Sequence, residues 1–546
     1  MEKTNGALSP TFYAPLRISD FGGRPVTQAL VVSDLHLCEG RLPESLYLHR
    51  LENFTADEAF AAFLKQKREQ AAKAGTRTLL VINGDFIDFP RIVRVPQGET
   101  DLLAWQEELE NIPAEELHHR KHAEMLADFS EFDKSWRKYI LIPSRWRRRF
   151  WFFSKTGRAL RSETRYGLRT QDFKSIYRMK TVYEGHREVF QALADWLKAG
   201  FPIVMLVGNH DPEMEQELVQ AWLHAKLANI AGSAKLLQFH RDGIELDRAI
   251  RIEHGHRFEW HTATRAEWLD PKTQEVFMPA GSLFNRYLVN KIEFVVPYLD
   301  NVRPNTRVVT HLLHNKTVEA FKLTGTLLKT ICRLIGKKGA SKLIGLGALN
   351  LLSLLLPVGY LAWVLISKAW HLDYLVLGFS ALAVMGLVLL LRNAAKKLSP
   401  HFSLVEVRKR MTENFAAENG RKHYAVCGHT HSPESELWKT ENVEYINSGT
   451  WVLIFEYESG VARDDLTKTF VEFNRDEDGD WQGKLKRWAP RPEGESKVIL
   501  IEPRSKKKST PESTNGVSRG LPVEEEAAAK AKPNQYSPAL SISRSL

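Results

Sequence analysis

Five short apolar runs, each breaking off into polar residues, constrain this chain more than any other feature. They are QALVVSDLHL (28–37), RTLLVING (77–84), PIVMLVGN (202–209), RAIRIEH (248–254) and HYAVCGH (423–429). A β-branched and leucine-rich run of this length reads as a strand buried on both faces, and its polar end reads as a loop. Between the runs, Ala56–Ala74 and Tyr183–Lys198 place apolar residues three and four apart, the spacing of an amphipathic helix. Strand, polar loop, helix, strand predicts a layered α/β domain with its chemistry at the carboxyl ends of the strands.

Those ends deliver a consistent set of side chains. The first gives Ser33, Asp34 and His36, the second Asn83, Asp85 and Asp88, and the third Asn209, His210 and Asp211. The fourth gives His254 and His256, the fifth His429 and His431. Carboxylate, imidazole and amide oxygen together suit divalent transition metals, whereas a structural zinc knot would need a nearby cysteine pair. Asp-x-His and His-x-His put two side chains on one side of an extended chain end. Glycines at 84, 208 and 428 permit sharp turns and close backbone approach.

In order, DLH, GDFID, GNHD, HGH and GHTH resemble the calcineurin-like metallophosphoesterase superfamily, and YINSGTW (445–451) resembles the strand and turn that follow its last motif. The resemblance covers about 25–90, 185–260 and 420–475. It implies a four-layer α/β/β/α sandwich and two divalent metal ions, Mn²⁺ first, with Fe, Zn, Ni or Mg as alternatives. One metal would be held by Asp34, His36 and His431, the other by Asn209, His254 and His429, with Asp85 bridging. The resemblance implies His254 rather than His256 as the ligand, because the family's ligand lies at a strand end and is followed by a glycine. His210 would face the substrate as a hydrogen-bond or proton donor, Asp211 would hold its ring, and Asp88 would support from behind. The DLHL start and the HG-containing fourth motif are similar to the UDP-2,3-diacylglucosamine hydrolase branch, which cleaves a pyrophosphate in lipid A synthesis. The longer spacing between the second and third motifs departs from that branch.

Other segments interrupt the α/β rhythm. Leu343–Ile366 and Leu372–Leu391 are apolar stretches of about 20 residues or more, long enough to cross a bilayer core. Arg333, Lys337, Lys338 and Lys342 precede them, and Arg392, Lys396 and Lys397 follow. This pattern predicts a transmembrane helical hairpin with both outer ends in the cytoplasm, and hence a membrane location with the catalytic domain on the cytoplasmic side. Net charge is +10, and fifteen Lys or Arg against two acids lie between Lys134 and Lys180. Such density implies a polyanionic partner. Within it, Arg145–Phe153 mixes four arginines with five aromatic rings, which fits a membrane surface better than nucleic acid. Three scattered cysteines exclude a disulfide framework, and Met1–Gly23 lacks the apolar core of a signal peptide.

The resulting organisation is a core at 25–94, a basic and aromatic helical insertion at 95–180 and more core at 181–270. A helical lid and linker follows at 271–342, then the hairpin at 343–391, core at 392–500 and a disordered tail at 505–546. The expected function is a membrane-anchored phosphohydrolase acting on a phosphorylated, lipid-linked or membrane-proximal substrate. A nuclease or nucleotide phosphodiesterase, and a non-catalytic scaffold on the same fold, are the alternatives.

Overall fold

A computed structural model describes residues 13–16, 21, 25–41, 47–141, 154–263, 268–271, 274–294, 298, 301–303, 404–412, 422–440, 442–456, 462–489 and 497–501. In chain order the strands are β1 (Tyr13–Leu16), β2 (Gln28–Val32), β3 (Thr78–Asn83), β4 (Ile203–Leu206), β5 (Leu237–His240), β6 (Gly243–Leu246), β7 (Ile250–Glu253), β8 (Val302–Arg303), β9 (His423–Cys427), β10 (Glu434–Trp438), β11 (Val443–Asn447), β12 (Phe455–Glu456), β13 (Thr469–Arg475), β14 (Trp481–Ala489) and β15 (Lys497–Leu500). The helices the description needs are α1 (Asp57–Ala74), α2 (Glu99–Glu110), α3 (His122–Leu141), α4 (Lys155–Tyr166), α5 (Asp172–Gly185), α6 (Arg187–Lys198), α7 (Glu217–Ala231) and α8 (Leu404–Thr412).

The strands build two large sheets. One runs β15-β14-β13-β2-β3-β4-β5, the other β1-β6-β7-β9-β11-β10, and β8 pairs only with β12. In the first sheet β2, β3, β4 and β5 are parallel, while β13 joins β2 antiparallel. In the second, β7, β9 and β11 are parallel. Each of the five runs holds one strand at the interior of its sheet, which is why the first, second, third and fifth read as almost continuously apolar.

Facing side chains seal the sheets together. Val31, Val81 and Val204 from the first meet Ile244, Ile252 and Val426 from the second in one buried cluster. The other face of the seven-stranded sheet packs on helices, with Phe60, Phe63, Phe190, Trp196 and Trp222 in its core. On the outer face of the six-stranded sheet, Val407 and Met411 of α8 cover Ala425, Cys427 and Tyr445.

No helix among the described residues is long and apolar enough to cross a membrane. The expected transmembrane hairpin has no support there: its two runs lie at 343–391, outside the described residues. The membrane location with a cytoplasmic catalytic domain, which rested on that hairpin, is corrected with it. Apolar length is necessary for a span but does not by itself make one. What stands is a mixed α/β fold with two sheets. By its internal contacts the chain divides into 1–504 and 505–546, and the second unit lies wholly outside the described residues.

Two of the cations of the basic segment turn inward, while most of its other described Lys and Arg are exposed. Residues 142–153, which hold the whole arginine–aromatic run, are outside the described residues. In the rest, Trp105, Phe132, Trp136 and Phe173 join the helix-side core. The Trp105 indole N–H donates to the Phe173 carbonyl at 2.9 Å. Lys174 pairs with Glu163 at 2.6 Å and Arg178 with Glu213 at 2.9 Å, all buried. These charges are spent inside the protein.

His186 sits at the break between α5 and α6, fully buried between Asp57 (2.7 Å) and Glu52 (3.1 Å). Burial pulls its pKa down, but Glu52 and Asp57 outweigh this and raise it to about 10. The ion pairs therefore stabilise fully below the unfolded-state value of about 6.5 and fade as pH climbs toward 10. His186→Gln is expected to cost about 3 kcal/mol at pH 6 and much less at pH 9.5, read from denaturant midpoints. A pH-independent difference would refute the ion-pair account.

Candidate metal centre

The carboxyl ends of β2, β3 and β4 in one sheet and of β7 and β9 in the other open onto the same point. Hydrogen bonds across the gap fix the meeting. Asn83 Nδ2 donates to the Glu253 carbonyl (3.0 Å), while within the second sheet the Gly428 N–H donates to the His254 carbonyl (2.9 Å). The His429 N–H donates to the Asp34 carboxylate at 3.0 Å, tying the first motif to the last across almost four hundred residues.

The backbone pays locally for this convergence. Asp34, His36, Asp85, His429 and His431 all have φ between 50° and 69°. Left-handed backbone is uncommon outside glycine, though Asp, Asn and His tolerate it best, and such residues cluster at functional sites. Glycine is required where the loops touch. A Cβ on Gly208 would lie 2.1 Å from Asp85 Oδ1, and one on Gly428 would lie 2.6 Å from Asp34 Oδ2.

Three side-chain groups bring their ligand atoms within 4.8 Å of one another, as holding a metal ion requires: Asp34–His36–His431, Asp85–His254–His429 and His36–Asp88–His210. His36 Nε2 and His431 Nε2 approach to 3.0 Å, and His431 Nε2 is 3.2 Å from Asp34 Oδ1. Asp85 Oδ2 lies 3.1 Å from His254 Nε2 and 3.6 Å from His36 Nε2, so it stands between the first two groups. His254 turns its Nδ1 to the Asn83 carbonyl at 2.8 Å, which leaves Nε2 for a ligand. His256 is in none of these groups.

Two atoms test the fit of a cation independently. Asn209 Oδ1 is buried without a hydrogen-bond partner, and His254 Nε2, also buried, faces the Asp85 carboxylate at 3.1 Å. Buried polar atoms of this kind normally find a hydrogen-bond partner. Both are ordinary metal-ligand atoms, and Asn209 lines the same pocket as Asp85. The residues present fit a metal ion. Charge agrees: burial alone would raise Asp34 and Asp85, but the surrounding imidazoles, His254 first, hold both carboxyls below the usual range. Asp85 and Asp34 in turn outweigh burial at His254 and raise it to about 9.

The two residues expected to serve the substrate part company. His210 faces the pocket, its Nδ1 3.0 Å from Asp88 Oδ1 and its N–H donating to Asp85 Oδ1 at 2.8 Å. Asp211 does not hold that ring. Its carboxylate accepts the N–H groups of Gly208 (2.6 Å) and Phe86 (2.7 Å), stapling the third motif to the second. Burial and the nearby Asp85 raise its pKa to about 7. The reason is geometric: Asp211 turns its side chain under the loop, while Asp88 arrives from the neighbouring strand end. Asp88 also reaches His36 Nδ1 at 3.3 Å and Arg91 Nε at 2.9 Å.

The site lies in a pocket of about 480 Å³. Its wall includes residues that the motifs did not reveal. Glu259 Oε2 is 3.2 Å from His429 Nε2, and Asn285 Nδ2 is 3.3 Å from His210 Nε2. Glu259 is five residues beyond His254, inside HGHRFEW, and Asn285 lies in a helical segment with no motif of its own. No described Lys or Arg of 134–180 lines this pocket. Comparisons with protein-family models, curated proteins and solved structures found no match for this chain.

Proposed function

We propose that this chain is a metal-dependent phosphohydrolase of the calcineurin-like metallophosphoesterase kind, acting on a phosphoester or pyrophosphate bond. One observation carries the reading: two metal-competent groups share one pocket, with Asp85 between them and with the Asn209 ligand atom buried and unpartnered. Asp34, His36 and His431 would hold one divalent cation, and Asn209, His254 and His429 the other, with Asp85 common to both; Mn²⁺ is the first choice for this oxygen and nitrogen donor set. Two cations there supply the Lewis acidity that lowers the pKa of water and neutralises phosphoryl oxygens. His210 donates a hydrogen bond or proton to the departing oxygen, while Asp88 takes its Nδ1–H and fixes the ring. Asp211 keeps the 208–211 turn against the Phe86 loop, so that His210 and Asn209 are presented together.

The test is direct. Protein stripped with a chelator and reconstituted with Mn²⁺, Fe²⁺, Zn²⁺, Ni²⁺ or Mg²⁺ is assayed against p-nitrophenyl phosphate, bis(p-nitrophenyl) phosphate and a nucleotide pyrophosphate diester. At least one metal restores hydrolysis, and His210→Ala lowers it by about 10²- to 10⁴-fold for a phenyl ester, whose leaving oxygen needs the proton. Inactivity with every metal and substrate would sink the reading.

A further inference from the structure

The segment 280–293 is helical throughout, and its middle turn, Asn285–Val289, is π-helical. Single π-turns are rare and occur often at functional sites, because the extra residue re-aims a side chain. Here the first residue of that turn is Asn285, which points at His210. Four polar side chains of this segment reach the loops that carry the candidate site. Ser282 Oγ donates to the Asn209 carbonyl at 2.7 Å, and Asn285 Nδ2 meets His210 Nε2 at 3.3 Å. Asn290 Nδ2 donates to the Pro90 carbonyl at 2.8 Å, and Glu293 pairs with Arg91. Ser282, Asn290 and Glu293 are buried.

These contacts close a ring. Glu293 holds Arg91, Arg91 Nε holds Asp88 (2.9 Å), Asp88 holds His210 Nδ1 (3.0 Å), and His210 Nε2 meets Asn285 on the helix where the ring began. One side of the imidazole is thus set by Asp88 and the other by Asn285. An amide suits that second place better than a charged group. Its NH₂ donates to a bare Nε2, and turned about, its oxygen accepts from a protonated one. Either form of the ring keeps its orientation without a net charge beside the phosphoryl group.

We propose that Asn285 is a positioning residue for His210, holding the ring through Nε2 until the oxygen that leaves phosphorus takes the place of the amide there. In that step the P–O bond breaks, the electron pair goes to the leaving oxygen, and the Nε2 proton moves onto it. The catalytic part of this inference rests on the phosphohydrolase reading, while the geometric part does not.

Two measurements test it. The first compares phenyl with p-nitrophenyl phosphodiesters, since a poor leaving group needs the proton and a good one does not. Asn285→Ala lowers kcat for the phenyl ester by about 10- to 100-fold and for the p-nitrophenyl ester by less than about 3-fold, with KM unchanged. In a His210→Ala background the same substitution adds no further loss. Equal losses on both esters, or losses that multiply in the double variant, would overturn the proposal. The second needs no activity and no metal: diethyl pyrocarbonate modification of His210, followed residue by residue in peptides by mass spectrometry. Removing the amide uncovers Nε2, so His210 reacts several-fold faster in Asn285→Ala; an unchanged rate would overturn the contact. Asn285→Ser, too short to reach Nε2 but still polar, gives the same two readouts if the alanine variant does not fold. A wild type inactive on both esters counts against the phosphohydrolase reading, and the modification rate then decides the contact alone.

Discussion

Asp85→Asn removes phosphoester hydrolysis almost completely, by at least about 10³-fold in kcat/KM, or ~4 kcal/mol of transition-state stabilisation. The substitution changes charge and little else. Asn tolerates the left-handed backbone that Asp85 adopts at φ 50°, and its oxygen can still accept the His210 N–H now bonded at 2.8 Å. Lost is the anionic oxygen facing His254 at 3.1 Å and His36 at 3.6 Å, the one carboxylate common to both halves of the centre. The metal-free variant therefore keeps a thermal midpoint within a few degrees of wild type, while metal content after reconstitution falls. Turnover by p-nitrophenol release, with metal analysis of the same sample, checks both parts. Undiminished turnover would refute the role assigned to Asp85.

Withdrawing metal destabilises the folded chain, and returning it restores the loss. The argument is mass action on a site that exists only when folded: Asp34 and His431 are adjacent in space and almost four hundred residues apart in sequence. At free metal a thousandfold above the dissociation constant the stabilisation is about 4 kcal/mol. For a folded unit of this size that is a rise of roughly 4 °C in the thermal midpoint. Scanning calorimetry with chelator, and again with Mn²⁺ in excess, measures it. Asp85→Asn should respond much less. A wild-type midpoint indifferent to every divalent cation would show that the convergent side chains do not form a metal site.

Much of the candidate centre was legible because each ligand lies beside the strand that carries it. A buried strand announces itself by local composition, and the residue following it must occupy the loop at the sheet edge. On that ground the resemblance implies His254 rather than His256, and only His254 enters a metal-competent group. Pairing between loops is a different matter. Sequence adjacency favoured Asp211 as the partner of His210, but neighbouring side chains diverge, and the carboxylate that arrives is Asp88 from another strand. Asn285 and Glu259 were hidden for the same reason, since each owes its place to the packing of a distant segment. The count of basic residues could not reveal that Lys174 and Arg178 turn inward. The apolar runs at 343–391 carried the membrane expectation on hydropathy alone, which does not distinguish a bilayer from other apolar surroundings.

The left-handed backbone at Asp34 and Asp85 bears on how such a centre decays in evolution. Asn accepts that conformation as readily as Asp does, so drift from carboxylate to amide at these two positions would erase the charge and spare the turn. A descendant silenced in this way would keep the same sheets, the same loops and the same outline. Shape alone would not tell a working copy from a retired one; the distinction would rest on an oxygen exchanged for an NH₂ at two residues.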